Sequence, residues 1–429
     1  MRSPKQVKAL KQAKTVMSDA AQPTRRRFRL VSGPGLLVTA AFIGPGTVVT
    51  ASRAGTEFGC TLLWTVLFAV IGTILLQSMA ARLGILTGSG LSEAIRAVLK
   101  NSPWLRPMLG LVIIAIGFGN AAYQTGNLTG AVVGVASLLG GSTQAWTAVL
   151  GIVTTLIIAM GRERLLQGVL VCLVVLLSIA FLYTAAAGLP SLGRVTAGLF
   201  VPRVTSENLT LVLAMIGTTI VPYNLFLHAS RSASTWHGVP ERDAIRHSRW
   251  DTAVSISLGG LVTAAILLTA SGAFFDQGIR WDTPDQIAAG LRPTLGPFSG
   301  HAFAIGLFCA GLTSAVTAPL ATAYAVCGCL GWPADPSSKA FRAIAISVIA
   351  AGVTAAMMMQ GSPVFTIVVA QVTNGMLLPI VAALMLVVIQ KRTAGSPLAI
   401  SPVGVYAAWT VVALVSMLGL WRVLAALRF

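Results

Sequence analysis

Apolar runs of roughly 20 residues, each long enough to cross a bilayer core as a helix, recur from one end of the chain to the other. They fall at 31–58, 61–82, 107–138, 145–160, 165–187, 207–230, 250–275, 299–331, 340–359, 363–390 and 402–425. The runs are continuous, not the short alternating segments of a membrane β-barrel, so the predicted class is an all-α integral membrane protein of eleven spans. Between the second and third runs, Gly88 to Lys100 shows helical spacing of Leu91, Ile95 and Val98, which predicts a short amphipathic helix. No stretch long enough for a soluble domain is left over.

Composition agrees with lipid as the main solvent. Of 429 residues, 55% are hydrophobic and 10% charged, with a mean hydropathy of +0.82; a soluble domain carries about 25% charged residues. The net charge of +18 suggests nucleic acid only until its distribution is read. Nine of the 30 Lys and Arg residues lie within the first 30, and most others occupy short loops, so no folded basic face is implied. With a cytoplasmic N-terminus, 23 of these cations fall on the cytoplasmic side and six on the other, with Arg53 at a helix end. That asymmetry predicts a multi-pass protein of a bacterial-type inner membrane with its basic tail, 1–29, in the cytoplasm against anionic lipid. The tail has no apolar stretch before its arginines and does not read as a cleaved signal peptide. The five cysteines lack paired spacing and read as packing residues.

Two runs contain helix-breaking, polar stretches at similar depth: Gly44-Pro45-Gly46-Thr47 in the first, and Gly217-Thr218-Thr219-Ile220-Val221-Pro222-Tyr223-Asn224 in the sixth. Proline removes a backbone donor, and glycine lowers the cost of unwinding. Irregular backbone at membrane depth is tolerated where it lines a cavity, and matching breaks in two halves point to a transporter site. A structural proline kink is the plainer reading of either break alone.

The motifs around these breaks resemble the Nramp (natural resistance-associated macrophage protein) family of divalent-metal transporters. The resemblance is carried by Gly33-Pro34-Gly35-Leu36, by Arg53-Ala54-Gly55-Thr56-Glu57-Phe58-Gly59, by the stretch Leu75 to Gly88, by Pro222-Tyr223-Asn224-Leu225-Phe226-Leu227-His228, and by Ala370-Gln371-Val372 with Leu378-Pro379. It implies the LeuT-like fold working by alternating access. Two inverted five-helix repeats, 30–187 and 188–400, are then followed by an eleventh helix at 401–429, with the first and sixth helices broken.

The chain departs from the family where the family's chemistry sits. The family's first-span Asp-Pro-Gly-Asn motif appears here as Gly44-Pro45-Gly46-Thr47, and its Met-Pro-His as Val221-Pro222-Tyr223. The carboxylate, amide and thioether ligands are gone. Asn120 and Tyr123 align with acidic third-span residues that the family uses for proton movement. All twelve carboxylates fall in a tail, loop or helix end of the span map. A dehydrated divalent cation at a neutral midplane faces a large desolvation penalty, so no metal site and no cofactor are expected. A helix N-terminus without a competing carboxylate suits an anion instead. Thr47 is expected as an N-cap, and Thr218, Thr219, Tyr223, Gln371, Thr373 and Asn374 as neutral hydrogen-bonding groups. The expected substrate contacts are Gly44, Pro45, Gly46, Thr47, Thr218, Val221, Pro222, Tyr223, Gln371 and Asn374.

A subgroup of Nramp-related proteins without the metal motif is linked to bicarbonate, and this chain is similar to it. The leading expectation is therefore a secondary transporter of a small anion, bicarbonate first, coupled to sodium or protons. Alternatives are a carrier of a neutral or zwitterionic solute, a carrier of a divalent metal, and a membrane sensor that binds without transporting. Arg53, Asn120, Tyr123 and His228 are gating or coupling candidates. Two of them have a plainer reading: Arg53 as a snorkelling side chain, His228 as a hydrogen-bonded packing residue. No Walker-type motif is present, which speaks against an ATP-driven pump encoded in this chain.

Overall fold

The computed structural model describes residues 34–161, 163–188, 190–281, 283–359 and 361–426. The basic tail and Asp282 lie outside them. A helix stands at each of the eleven apolar runs, and no strand occurs among the described residues. Nine stretches of them are long and apolar enough to cross a membrane.

The first span is two helices, Pro34–Phe42 and Pro45–Phe58; the sixth is likewise two, Leu209–Thr219 and Pro222–Thr235. In each span two residues stay outside the helices, Ile43 and Gly44 in the first and Ile220 and Val221 in the sixth. In each the second half opens on a proline, whose missing N–H costs nothing at that position. The sequence thus builds the same device twice. The other spans are Leu63–Thr87, Leu105–Leu139, Thr143–Met160, Glu163–Ala187, Glu241–Ala273, Ser299–Leu330, Lys339–Met358, Pro363–Thr393 and Pro402–Ala426. The predicted amphipathic helix forms over Leu91–Leu99 and buries Leu91 and Ile95.

Successive passes alternate in direction, so the second halves of the two broken spans run antiparallel and bring their N-terminal ends toward each other. Small residues permit the close approach around them. A Cβ at Gly130 of the third span would overlap the Pro45 ring, and one at Gly217 would overlap the Gln371 carbonyl of the tenth. The lipid-facing surface carries the exposed large apolar residues, among them Ile114, Phe118, Leu258, Leu261 and Met417.

Two features were absent from the sequence reading. A nine-residue helix, Leu192–Phe200, lies between the fifth and sixth spans, too short to register as an apolar run. It packs through Gly198 on the backbone of Cys60 and is held by a bidentate Arg194–Asp276 ion pair of 2.6 and 3.1 Å. The connection between the seventh and eighth spans is also ordered, with Ile287, Ala288 and Leu291 buried. The seventh span itself begins nine residues before the predicted start, because polar residues from Glu241 onward continue the helix beyond its apolar run.

Candidate substrate site

At the first break the chain extends through Gly44 (φ −116°, ψ −174°) before Pro45 restarts the helix. Gly44 is therefore the residue before the second half, and its side-chain cap is lacking. Thr47, expected as the N-cap, sits one turn further in. The backbone dictates this, because Pro45 occupies the first helical position and Thr47 the third. The Thr47 hydroxyl turns back and donates to the Phe42 carbonyl, and stands 2.8 Å from Thr218 Oγ1 of the sixth span. A hydroxyl has one proton, so Thr218 donates to Thr47. The pair ties the two breaks together and spends both protons within the protein.

Four backbone carbonyls near the breaks are also occupied. Phe42 O accepts from Gly44 N at 2.8 Å as well as from Thr47. Gly44 O accepts from Val48 N, Ile216 O from Ile220 N, and Val221 O from Asn224 N. Thr219, expected as a neutral hydrogen-bonding group, back-bonds to Met215 O at 3.3 Å.

The tenth span brings the free polarity. Gln371 is fully buried directly over Gly46, whose Cβ, if present, would overlap its amide. Neither Gln371 Nε2 nor Oε1 has a partner, and Asn374 Nδ2 has none. Asn374 faces Gly119 of the third span. Thr373 bonds its own helix at Val369 O. Tyr223 and Tyr123 complete the apolar wall, with ring centroids 5.5 Å apart and planes at 59°. Ser314 of the eighth span closes the remaining side, and a Cβ at Gly44 would stand 2.8 Å from its hydroxyl, with Tyr123 Oη 3.7 Å away. Sequence reasoning missed Ser314, since one serine among the small residues of that span gives no signal.

The candidate residues therefore divide. Gly44, Pro45, Gly46, Thr47, Thr218, Val221, Pro222, Tyr223, Tyr123, Gln371 and Asn374 surround the two breaks, all buried. Asn120 stands apart. Its amide donates 2.5 Å to Thr322 Oγ1 and 3.4 Å to Ala318 O, a neutral seam between the third and eighth spans. His228 lies below the sixth-span break with Nδ1 2.9 Å from Gln77 Oε1, while His228 Nε2 and Gln77 Nε2 have no partner. Gln77 belongs to a motif quoted for the family resemblance but carries a contact the motif alone does not disclose.

Arg53 lies two turns outward from the first break and pairs with Glu57 at 2.5 Å, both side chains 38% exposed. They line a vestibule of about 850 Å³ with Glu207, Arg280 and Trp281. Trp281 Nε1 donates to Thr56 Oγ1 at 2.7 Å. One expectation about the carboxylates is corrected here. Asp251 is 5% exposed and lies eleven residues into the seventh helix, accepting from Gly35 N at 2.7 Å. The helix starts earlier than its apolar run, so a residue placed at the helix end is interior. Asp251 serves the start of the first half-helix, about 13 Å of helix from the break. Among the described residues no group of three or more His, Cys, Asp or Glu is arranged to hold a metal.

The family described as "Nramp: Natural resistance-associated macrophage protein-like" matches residues 35–425. The divalent metal cation transporter MntH of Klebsiella pneumoniae subsp. pneumoniae is 29% identical over 310 residues, covering 71% of this chain and 74% of that protein. The manganese transporter of Eremococcus coleocola shares the fold with a TM-score of 0.77 at 23% identity, over 93% of this chain and 88% of that one. MhsT, solved with L-phenylalanine, has a TM-score of 0.57 at 18% identity over 92% of this chain and 98% of that one. Mhp1, a nucleobase-cation-symport-1 family transporter, has 0.54 at 15% over 94% and 92%.

Proposed function

Because the chain belongs to the Nramp family of transporters, with the LeuT-type fold, we propose that it carries a small anion, bicarbonate first, through the two broken helices. It is a multi-pass secondary transporter of the Nramp type and not an enzyme. The observation that carries the anion reading is the state of the acceptors. The carbonyls of Phe42, Gly44, Ile216 and Val221 and the Thr47 and Thr218 hydroxyls are engaged within the protein, and among the described residues no carboxylate bonds to them. What remains unpaired includes Gln371 Nε2 and Oε1, over a helix start with its partial positive charge, both amide atoms of Asn224 and the Asn374 amide nitrogen. The N–H donors in this set suit an anion and are of no use to a hard or borderline cation, which would have only the uncharged amide oxygens.

A divalent metal is the second reading, and the names of the relatives favour it over the anion: MntH is described as a divalent metal cation transporter and the Eremococcus protein as a manganese transporter. Uptake into proteoliposomes separates the two. Saturable bicarbonate flux with no manganese flux, under imposed sodium or proton gradients, is the expected outcome and identifies the coupling ion. Saturable manganese flux, or micromolar manganese binding by calorimetry, would reverse the assignment. Flux of neither ion returns the neutral-solute and sensor readings. The repeat division at 187/188 and a cytoplasmic N-terminus in a bacterial inner membrane belong to the same proposal, the latter resting on the arginine and lysine asymmetry.

The vestibule yields a smaller prediction. Arg53→Gln should change stability by less than about 1 kcal/mol, as for other exposed pairs. It should slow bicarbonate uptake severalfold at low ionic strength and leave it unchanged where the Debye length shrinks to about 3 Å. Initial rates against salt concentration test it; a loss of rate that salt does not remove assigns Arg53 a direct contact instead of steering.

A further inference from the structure

The seventh helix is 33 residues long, about 50 Å, whereas a bilayer core needs about 30 Å. Its first three turns therefore stand beyond the core on the side where the first span begins. Arg242, Arg246 and Arg249 are all exposed there, at spacings of four and three residues, so they share one face. Beside that face, toward the core, come Ser257 and Leu261, also exposed, with Leu261 at 56%. Arg246, with Trp250, leads into this exposed stripe, whereas the arc of Arg242 and Arg249 runs on to Ile256 and Gly260, which are buried, Gly260 against Val70 of the second span, so the arginines stand at the edge between lipid and that span. Trp250, beside Arg249, is 62% exposed, at the level where indole rings mark the headgroup boundary.

Helix electrostatics do not account for these arginines. The first turn carries Glu241 and Asp243, which suit the positive end of a helix, whereas arginine there opposes it. Neither acid pairs with them; both ion pairs found among the described residues, Arg53–Glu57 and Arg194–Asp276, lie on the opposite side of the molecule. Asp251, the nearest carboxylate further along the helix, turns inward to Gly35 N. The second span adds a fourth cation. Arg82 donates to the carbonyls of Leu398 and Ala399 at 3.3 and 3.1 Å, and lies near enough to Arg249 for the two guanidinium groups to repel. Like charges gathered at a lipid-facing edge, with only carbonyls as partners, lack a bridging anion.

We propose that this edge, formed by Arg242, Arg246 and Arg249 with Arg82 behind them and Trp250 alongside, binds the phosphate of an anionic phospholipid headgroup. Guanidinium forks match phosphate oxygens bidentately, the acyl chains follow the Ser257–Leu261 stripe, and the indole lies at the ester level.

The experiment uses full-length protein, delipidated in detergent and then offered phosphatidylglycerol or phosphatidylcholine, with retained lipid counted by native mass spectrometry. The wild type should retain phosphatidylglycerol selectively. Arg242→Gln/Arg246→Gln/Arg249→Gln should weaken that retention roughly fivefold per arginine, about a hundredfold together. The control Lys391→Gln/Arg392→Gln, at the exposed end of the tenth helix, should retain it within about twofold. Unchanged thermal unfolding of the triple variant in phosphatidylcholine shows that it folds. Equal retention by the triple variant, equal retention of phosphatidylcholine, or displacement of the lipid by millimolar inorganic phosphate each overturns the proposal, the last by making this a soluble-anion site.

Discussion

Thr47→Asp should abolish bicarbonate flux, by a hundredfold or more, in protein that still inserts and folds. The residue is fully buried, and its hydroxyl gives its proton to Phe42 O while accepting from Thr218. A carboxylate in that place cannot donate. It faces the Phe42 carbonyl as a second acceptor and loads a negative charge onto the helix start that the proposed anion needs. One unit charge at 4 Å from another is worth about 4 kcal/mol at an effective dielectric constant of 20, well above the roughly 2.7 kcal/mol of a hundredfold change. Thr47→Ser keeps the hydroxyl and should transport close to wild type. Thr47→Val removes it without adding charge and should cost about tenfold, the worth of one hydrogen bond or so. The graded order Ser, Val, Asp is therefore the signature of charge at this position. Full flux through a folded Asp variant would remove the first break from the substrate path. New manganese flux through it would show that one carboxylate turns this pocket into a cation site.

How much of this was legible in the sequence depends on the physical range of each feature. The spans and both breaks are local: twenty apolar residues, or a proline beside glycines, act on their own backbone and announce themselves in order. The pairing of Thr47 with Thr218 across 171 positions is not local. The break motifs predict that the two segments meet, but which atoms bond depends on where Pro45 sets the helix start. That is why Thr47 reads as a cap and turns out to be a strut. Asp251 failed for another reason. Apolar runs report lipid contact, whereas helices extend past the lipid wherever polar residues keep the backbone bonds, so a map drawn from hydropathy displaces residues near run ends toward the exterior. Ser314 was invisible because its role is set by the absence of a side chain at Gly44, on a different helix. The family, by contrast, was legible from motifs spread over the chain, and its match over residues 35–425 agrees. Substrate choice is the hardest part to read, since four positions of the family's two break motifs differ here, at Gly44, Thr47, Val221 and Tyr223.

Gly46 and Gln371 offer the sharpest test of the site's geometry, because each defines the other's space. A Cβ at Gly46 would overlap the end of the Gln371 side chain, not its backbone. The amide is the far end of a flexible chain, so Gly46→Ala should displace it while the helices stay packed, at an overpacking cost of about 1–3 kcal/mol. Transport should nevertheless fall about tenfold, since the amide carries unpaired donors over the break and moving it by one methyl width misplaces them. Gln371→Ala should cause a similar loss by removing the same donors. The decisive quantity is the double variant. If Gly46→Ala acts only by pushing Gln371 aside, the pair together should lose no more than either change alone, a coupling of about 1.4 kcal/mol for a tenfold effect. Losses that multiply to about a hundredfold would mean that the two residues act independently. Gly46→Ala would then act on the helix start itself and not through the amide, and the amide and the helix start would serve transport separately.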